Sequence, residues 1–292
     1  MSLKVMTTVA EVQAYSKEMK AAGKRIGLCP TMGALHEGHM TLCRAARASC
    51  DVVIASVFVN PVQFGPNEDY EKYPRQFAAD CEKLEAEGVD AVFHPAPEEM
   101  YPAGYGTYVN VESDITKVLC GARRPGHFRG VATVVTKLMN LTRADRAFFG
   151  QKDAQQVAVV RRFVADLNLP VEVVMVPICR EESGLARSSR NVYLSSAERE
   201  AALVLSRSLR KAKAAFDGGE RSAEQLKGIT RAELATEPLA RVDYVDLYTF
   251  PALQPVAEVT EMSLLAIAVY IGKTRLIDNV IFTSSAEKGA AK

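Results

Sequence analysis

Two histidines three residues apart, His36 and His39, stand in the run Pro30-Thr-Met-Gly-Ala-Leu-His-Glu-Gly-His39. A strand ends at Pro30 and a helix is expected from about Gly38, which puts both imidazoles on one face of a helix start. Such a start presents unpaired N–H groups and a partial positive charge, and so suits phosphate. Two imidazoles directed at one point can stabilise a phosphoryl group as it gains charge. The pair equally fits two surface or core histidines, or metal ligation, although no third ligand stands at a telling spacing.

Three further segments offer related donors. Lys152 and Asp153, in Phe149-Gly-Gln-Lys-Asp-Ala-Gln-Gln156, lie where a strand turns into a helix, and Gln156 follows one helical turn after Lys152. They suit a ligand-facing turn or a solvated Lys–Asp pair. Gly184-Leu-Ala-Arg-Ser-Ser-Arg-Asn191 sets hydroxyls beside guanidinium groups, a donor set for polyphosphate or an ordinary polar linker. Asn60 and Gln63 end a β-branched run, where carboxamides can hold a hydroxyl or carboxylate of a small polar substrate. Gly121 to Gly130, with Arg123, Arg124 and His127, reads as a basic turn before a helix. GxGxxG after the first strand, GxxxxGK[ST] and GxSxG are all missing, and no Ser or Cys has a matched base. Dinucleotide, P-loop and acyl-enzyme readings therefore lack their fingerprints.

The elements that must carry these groups alternate. KRIGLCP, DVVIASVFV, VDAVFHP, Arg146 to Phe149 and VEVVMVPI read as strands, the second and last as buried ones. Helical periods lie between them, over HMTLCRAARASC, Pro74 to Gly88, Gly130 to Thr142 and Asp153 to Leu167. Alternation implies a parallel sheet with right-handed crossovers, whose carboxyl edge takes ligands. After Ile178 the pattern changes to a polar loop and a helix from Ser196 to about Phe216, opened by a Ser195/Glu198 capping box. A second helix near Ser222 to Thr236 and three β-type stretches follow. The expected fold class is α/β: a Rossmann-like, doubly wound parallel sheet over residues 1–180 and a smaller α+β domain over 181–284. A disordered tail is expected over 285–292.

At 292 residues the chain is long enough for two such domains. Lys and Arg number 36 against 35 Asp and Glu, so there is no overall basic field and no nucleic-acid partner is expected. The longest apolar runs, such as LLAIAVYI, fall far short of the roughly 18 residues of a membrane span. No apolar signal segment forms before Glu11, so no membrane or secretory role is expected. The six cysteines form no CxxC, which suits reduced thiols in a cytoplasmic protein.

Five motifs in order, PTMGALHEGH, FVNPVQFGPNEDYEKYPR, RRPGHFRGV, FFGQKDAQQ and GLARSSRNVYLS, resemble the pantoate–β-alanine ligase family of the HxGH nucleotidylyltransferase superfamily, from about residue 4 to residue 283. The resemblance implies an ATP-dependent condensation of pantoate with β-alanine to pantothenate through a pantoyl adenylate, releasing AMP and pyrophosphate. It implies a cytoplasmic homodimer that uses ATP and Mg²⁺, with the C-terminal domain acting as a lid.

By the same resemblance Met32, Gly33, Ala34, Leu35, His36, Glu37, Gly38 and His39 line the ATP site, with His36 and His39 on the phosphates. His36, His39 and Lys152 carry the catalytic label. Gly150, Gln151, Lys152 and Asp153 form a second ATP-binding turn, and Cys179 meets adenine through its backbone. Arg187, Ser188, Ser189 and Arg190 close over the phosphates. Asn60, Gln63 and Gln156 hold pantoate, Gln63 also lying near β-alanine. Arg187 and Gln151 depart from the common pattern, and Asp80 stands where a metal-associated acidic helix is sometimes placed. Protein ligands to Mg²⁺ stay unassigned. A different nucleotidyl transferase on this fold would share the histidines, but the uncharged Gln63 and Gln156 suit a hydroxy acid better than a phosphorylated substrate.

Overall fold

The computed structural model describes residues 2–66 and 68–283, so the tail expected to be disordered lies outside the described residues. The chain divides into two compact units. The first comprises residues up to Glu112, Gly121–Gln151 and Val159–Pro177, and the second Ser113–Cys120, Lys152–Ala158 and Ile178 onward.

In the first unit β1 (Lys4–Met6) leads to α1 (Val9–Ala21), then β2 (Ile26–Thr31) to α2 (Glu37–Arg47), and β3 (Val52–Val57) to α3 (Phe77–Ala86). After β4 (Ala91–Phe93) come the short α4 (Pro97–Met100) and α5 (Leu119–Arg123), then α6 (His127–Thr142), β5 (Arg146–Gly150), α7 (Ala154–Asp166) and β6 (Glu172–Val176). The division between units falls within α5 and α7.

All six strands are parallel, in the order β1-β4-β3-β2-β5-β6. The Rossmann-like expectation is met. From β2 the chain winds outward through β3 and β4, then returns to β5 on the other side, so the winding reverses at the β2/β5 boundary. In open α/β sheets that reversal opens a crevice at the carboxyl ends of the strands. The turns after β2 and β3 begin at this edge and hold His36 and Gln63, and β5 ends there at Gly150. Every position of β3 is buried, as its Val and Ile on both faces require of a central parallel strand.

Three readings need correction. VEVVMVPI is not a buried strand: β6 closes the sheet, and only Val176 in it is fully buried. β1 and α1 precede the first strand read from the sequence. α1 had a visible signal, because Thr8 and Glu11 form a capping box in which Glu11 Oε2 accepts from the Thr8 N–H at 2.9 Å. Finally, α6 starts at His127 and not at Gly130, which puts both residues in its first turn.

The second unit is α+β. After α8 (Ser196–Ala201) come α9 (Leu203–Asp217), α10 (Ala223–Leu234) and the antiparallel β7 (Ala240–Thr249), β8 (Ser263–Ile271) and β9 (Thr274–Phe282). The long helix expected from Ser196 is two helices, tightened at Ala202 by a Leu205 N–H to Ala202 C=O bond of 3.1 Å. The Ser195/Glu198 capping box is present. Leu205, Leu209 and Phe216 of α9 share one core with Leu226 of α10 and with Leu265, Ile267 and Phe282 of the sheet. Among the described residues no helix is long and apolar enough to cross a membrane.

Candidate active site

The turn between β2 and α2 is made by two successive residues in the left-handed region, Gly33 (φ 82°) and Ala34 (φ 51°). Gly33 is required there twice over, by its φ and by space. A Cβ would lie 3.0 Å from Val57 Cγ1 and 3.1 Å from Asp80 Oδ2.

His36 is the N-cap of α2 and His39 its third residue, and the two rings cap the helix reciprocally. The Gly38 N–H donates to His36 Nδ1 at 3.1 Å, and the His36 N–H donates to His39 Nδ1 at 3.2 Å. Their ring centroids are 4.1 Å apart. Because each Nδ1 accepts a backbone N–H, the proton of each neutral ring belongs on Nε2. Both imidazoles are thereby fixed as Nε2–H donors, with no other residue needed to choose the tautomer.

The neighbouring turn after β3 is built around Asn60. Its Nδ2 donates to Gln63 Oε1 (3.0 Å) and to the Gly130 carbonyl (3.2 Å). Its Oδ1 accepts from the Val62 N–H (3.3 Å) and the Tyr101 hydroxyl (2.8 Å). Burial, helped by the charges of Tyr105 and Tyr108, holds the Tyr101 pKa well above the usual tyrosine range, so that donor persists. Asn60 is 1% exposed with all four hydrogen-bonding positions filled. Among the described residues Gln63 has two filled, giving one N–H to Met32 Sδ at 3.1 Å and accepting from Asn60. Of the two carboxamides in this turn expected to meet a substrate, Gln63 keeps the capacity to do so and Asn60 holds it in place.

His127 fixes the same turn from α6, its Nδ1–H donating to the Gln63 carbonyl at 2.9 Å while its Nε2 accepts from Arg124 at 3.0 Å. Arg124 in turn grips Glu68 with two bonds of 2.7 and 2.5 Å. Burial alone would raise the Glu68 carboxyl, but the hydrogen bond and charge of Arg124 outweigh it and the pKa is lowered. The basic turn read from the sequence is thus a brace behind Gln63. Gly130 completes it, since a Cβ there would lie 2.5 Å from the Val62 carbonyl oxygen.

In the turn between β2 and α2, Ala34 and Leu35 are buried. The Leu35 side chain belongs to the core behind β2 and β3, and its N–H and carbonyl are both engaged by α3. Leu35 therefore builds the turn and has no polar group to offer a ligand. Sequence reasoning singled out Asp80 only for a metal-associated place and missed that it engages the Leu35 N–H. Its signal was an acidic residue on an otherwise apolar helical face, with Phe77 three positions before and Leu84 four after.

The remaining expected residues belong to the second unit, apart from Glu37, Gly150 and Gln151. Lys152 pairs with Asp153 at 3.0 Å, and its carbonyl accepts from Asn279 Nδ2 at 3.0 Å. Gln156 is half-buried and its carboxamide makes no hydrogen bond among the described residues. The Arg187–Arg190 segment is anchored at its base by the Arg187 N–H to the Cys179 carbonyl (3.0 Å). A two-pronged ion pair between Arg180 and Asp278 (2.6 and 2.9 Å) adds to that base, Asp278 being 2% exposed. Ser188 caps the turn that follows by accepting the Arg190 N–H at 3.3 Å. Arg187 Nε is buried without a hydrogen-bond partner.

Asp80 is fully buried with both oxygens accepting backbone N–H groups, and among the described residues no group of three or more His, Cys, Asp or Glu is placed to hold a metal.

A doubly wound parallel sheet with an HxGH turn at the carboxyl end of a central strand defines the class: a Rossmann-like α/β protein. The chain matches the pantoate-beta-alanine ligase family model over residues 4–281 and belongs to that family. Pantothenate synthetase from Pelotomaculum thermopropionicum is 56% identical over 95% of this chain and 98% of its own length. The Heliobacterium modesticaldum enzyme of the same name is 54% identical over 96% and 99%. Among solved structures, pantothenate synthetase from Thermus thermophilus matches with a TM-score of 0.89 at 45% identity, covering 95% of this chain and 99% of that one. Pantoate-beta-alanine ligase from Francisella tularensis, complexed with beta-gamma ATP and beta-alanine, matches with a TM-score of 0.78 at 32% identity, over 96% and 98%.

Proposed function

We propose that this protein condenses (R)-pantoate with β-alanine at the expense of ATP, releasing AMP and pyrophosphate. The observation that carries the proposal is the reciprocal capping of His36 and His39, which fixes two imidazole N–H donors at the start of α2. The membership of the chain in a ligase family supports it.

In the first half-reaction a pantoate carboxylate oxygen attacks the α-phosphorus of ATP. The bond to the bridging oxygen breaks, and pyrophosphate leaves. Negative charge grows on the phosphoryl oxygens and on the leaving group, and fixed donors lower that barrier without reorganising. We assign His36 and His39, through their Nε2–H groups, to those oxygens, and Lys152, Arg187, Ser188, Ser189 and Arg190 to the phosphates on the strength of the family motif. Gln63 and Gln156 each keep carboxamide positions for the hydroxyl and carboxylate groups of pantoate. In the second half-reaction the β-alanine amine attacks the acyl carbon of the adenylate, the amide forms, and AMP leaves. No enzyme nucleophile takes part.

No group of three or more His, Cys, Asp or Glu among the described residues is placed to hold a metal, so we place Mg²⁺ on the ATP phosphates, whose charge it would neutralise when bound. From the same family likeness we infer a cytoplasmic homodimer, which sedimentation of the purified protein tests.

Pyrophosphate release from ATP with pantoate, with and without β-alanine, tests the function. Pyrophosphate requiring pantoate, and AMP with pantothenate requiring β-alanine as well, is the expected outcome. Folded, ATP-binding protein that releases no pyrophosphate with pantoate would refute the reading.

A further inference from the structure

The nucleotide turn is gripped by a helix that contributes nothing to its sequence motif. Asp80, in the first turns of α3, accepts the Ala34 N–H on Oδ2 at 2.9 Å and the Leu35 N–H on Oδ1 at 2.8 Å. Lys83, one turn later on α3, donates to the Leu35 carbonyl at 2.6 Å. Asp80 is fully buried, and a buried carboxylate is retained only where its hydrogen bonds repay its desolvation. The residues it grips are the ones whose conformation is least favoured. Ala34 holds a positive φ with a Cβ, and Gly33 beside it has Asp80 within reach of any added methyl group. A non-glycine residue in that region persists only when its surroundings over-determine it. His36 is the next residue, so the orientation of the first capping ring hangs from the Asp80 bonds.

The geometry points to Asp80 as a positioning residue for the nucleotide site, seconded by Lys83. The carboxylate locks Gly33–Leu35 so that His36 and His39 stand ready before ATP arrives. This inference rests on the functional reading above. It competes with a different role for the same side chain, that of a metal ligand. Full burial argues against that role, because Mg²⁺ keeps several of its waters and needs room for them.

Asp80→Asn is the direct test. One of its two side-chain positions becomes an NH₂ group facing a backbone N–H, so one grip turns into a repulsion. Affinity for a non-hydrolysable ATP analogue, read by calorimetry, and KM for ATP should each worsen by roughly 10- to 100-fold, as expected for a lost charged hydrogen bond. KM for pantoate should stay within about twofold of wild type, and a tenfold rise in Mg²⁺ should recover nothing. Lys83→Met removes the second strut without burying a new polar group, and should weaken ATP about 3- to 10-fold with pantoate again unchanged. It decides the matter if Asp80→Asn fails to fold.

Wild-type ATP affinity in folded Asp80→Asn, or in Lys83→Met where the first variant fails to fold, would overturn the inference. So would recovery by Mg²⁺, which would make Asp80 a metal ligand, or equal losses for ATP and pantoate, which would make its role merely structural. The functional reading fails separately, through wild-type protein that releases no pantoate-dependent pyrophosphate. The calorimetric comparison would still report on the grip.

Discussion

Gly130→Ala isolates the brace behind Gln63. The added methyl carbon would lie 2.5 Å from the Val62 carbonyl oxygen, 2.6 Å from Gln63 Cα and 2.7 Å from Gln63 N. All three neighbours are backbone, so no rotamer change relieves the overlap. Ordinary contact begins near 3.4 Å, and the turn after β3 must therefore part from α6 by about 1 Å. Two opposing terms set the stability change. Alanine in place of glycine favours the helix by about 1 kcal/mol, while overpacking of a closed contact costs about 1–3 kcal/mol. The net is a loss of about 0–2 kcal/mol, which the fold survives. The functional loss is larger, because a misplacement of about 1 Å at a substrate-positioning group can cost about 100-fold. Pantoate-dependent pyrophosphate release should show kcat/KM for pantoate down by roughly 10- to 100-fold, with KM for ATP nearly unchanged. Gly228→Ala, in α10 with open space around its Cβ position, is the control and should gain about 1 kcal/mol with full activity. Wild-type kcat/KM for pantoate in Gly130→Ala would refute the reasoning, as would equal losses toward ATP and pantoate.

Other expectations come from other parts of the site. His39→Ala and Lys152→Ala should each lower the rate of adenylate formation by about 100- to 1,000-fold at unchanged far-ultraviolet circular dichroism, and a variant with near-normal turnover removes that residue from the mechanism. Arg187→Leu removes a guanidinium whose Nε is buried without a partner. It should raise the melting temperature of the ligand-free protein by relieving about 1 kcal/mol of unmet desolvation, while raising KM for ATP. The lowered pKa of Glu68 means that its ion pair with Arg124 stabilises the folded chain fully above the usual value of 4.5 and loses that contribution as pH falls through the folded value. The melting-temperature difference between wild type and Glu68→Gln should accordingly be largest near neutrality and shrink below pH 4.5. A difference that grows on acidification would contradict that sign.

The fold was legible where periodicity was strong. The β-branched run that became β3 and the alternation that followed it were enough to place the parallel sheet, and the capping box at Ser195 marked the start of α8. β6 was misread because an edge strand and a central one can share an apolar composition, and what separates them is a neighbour that only the topology supplies. The chemical types of the site residues were legible too, but not who holds whom. Asn60 and Gln63 look alike in sequence. Their difference lies in bonds to Tyr101 and Gly130, which are 41 and 70 residues away. The same holds for Asp80, whose partners stand 45 and 46 positions earlier. A carboxylate that serves backbone amides carries no spacing rule.

Residues 113–120 and 152–158 belong with the second unit although the sheet surrounds them in sequence. Lys152 is joined through its carbonyl to Asn279, and Arg180 is joined to Asp278 on the same strand, β9. As the chain leaves the ribosome, the six-stranded sheet can form while these two segments, joined to each other by Gln155 donating to the Ile115 and Val118 carbonyls, still lack β9. They must wait, through the synthesis of more than a hundred further residues, for the strand that receives them. Lys152, which the proposed function sets on the phosphates, is therefore made well before the strand that seats it. A polypeptide released before β9 would own every residue of the proposed site and still lack the contact that secures Lys152.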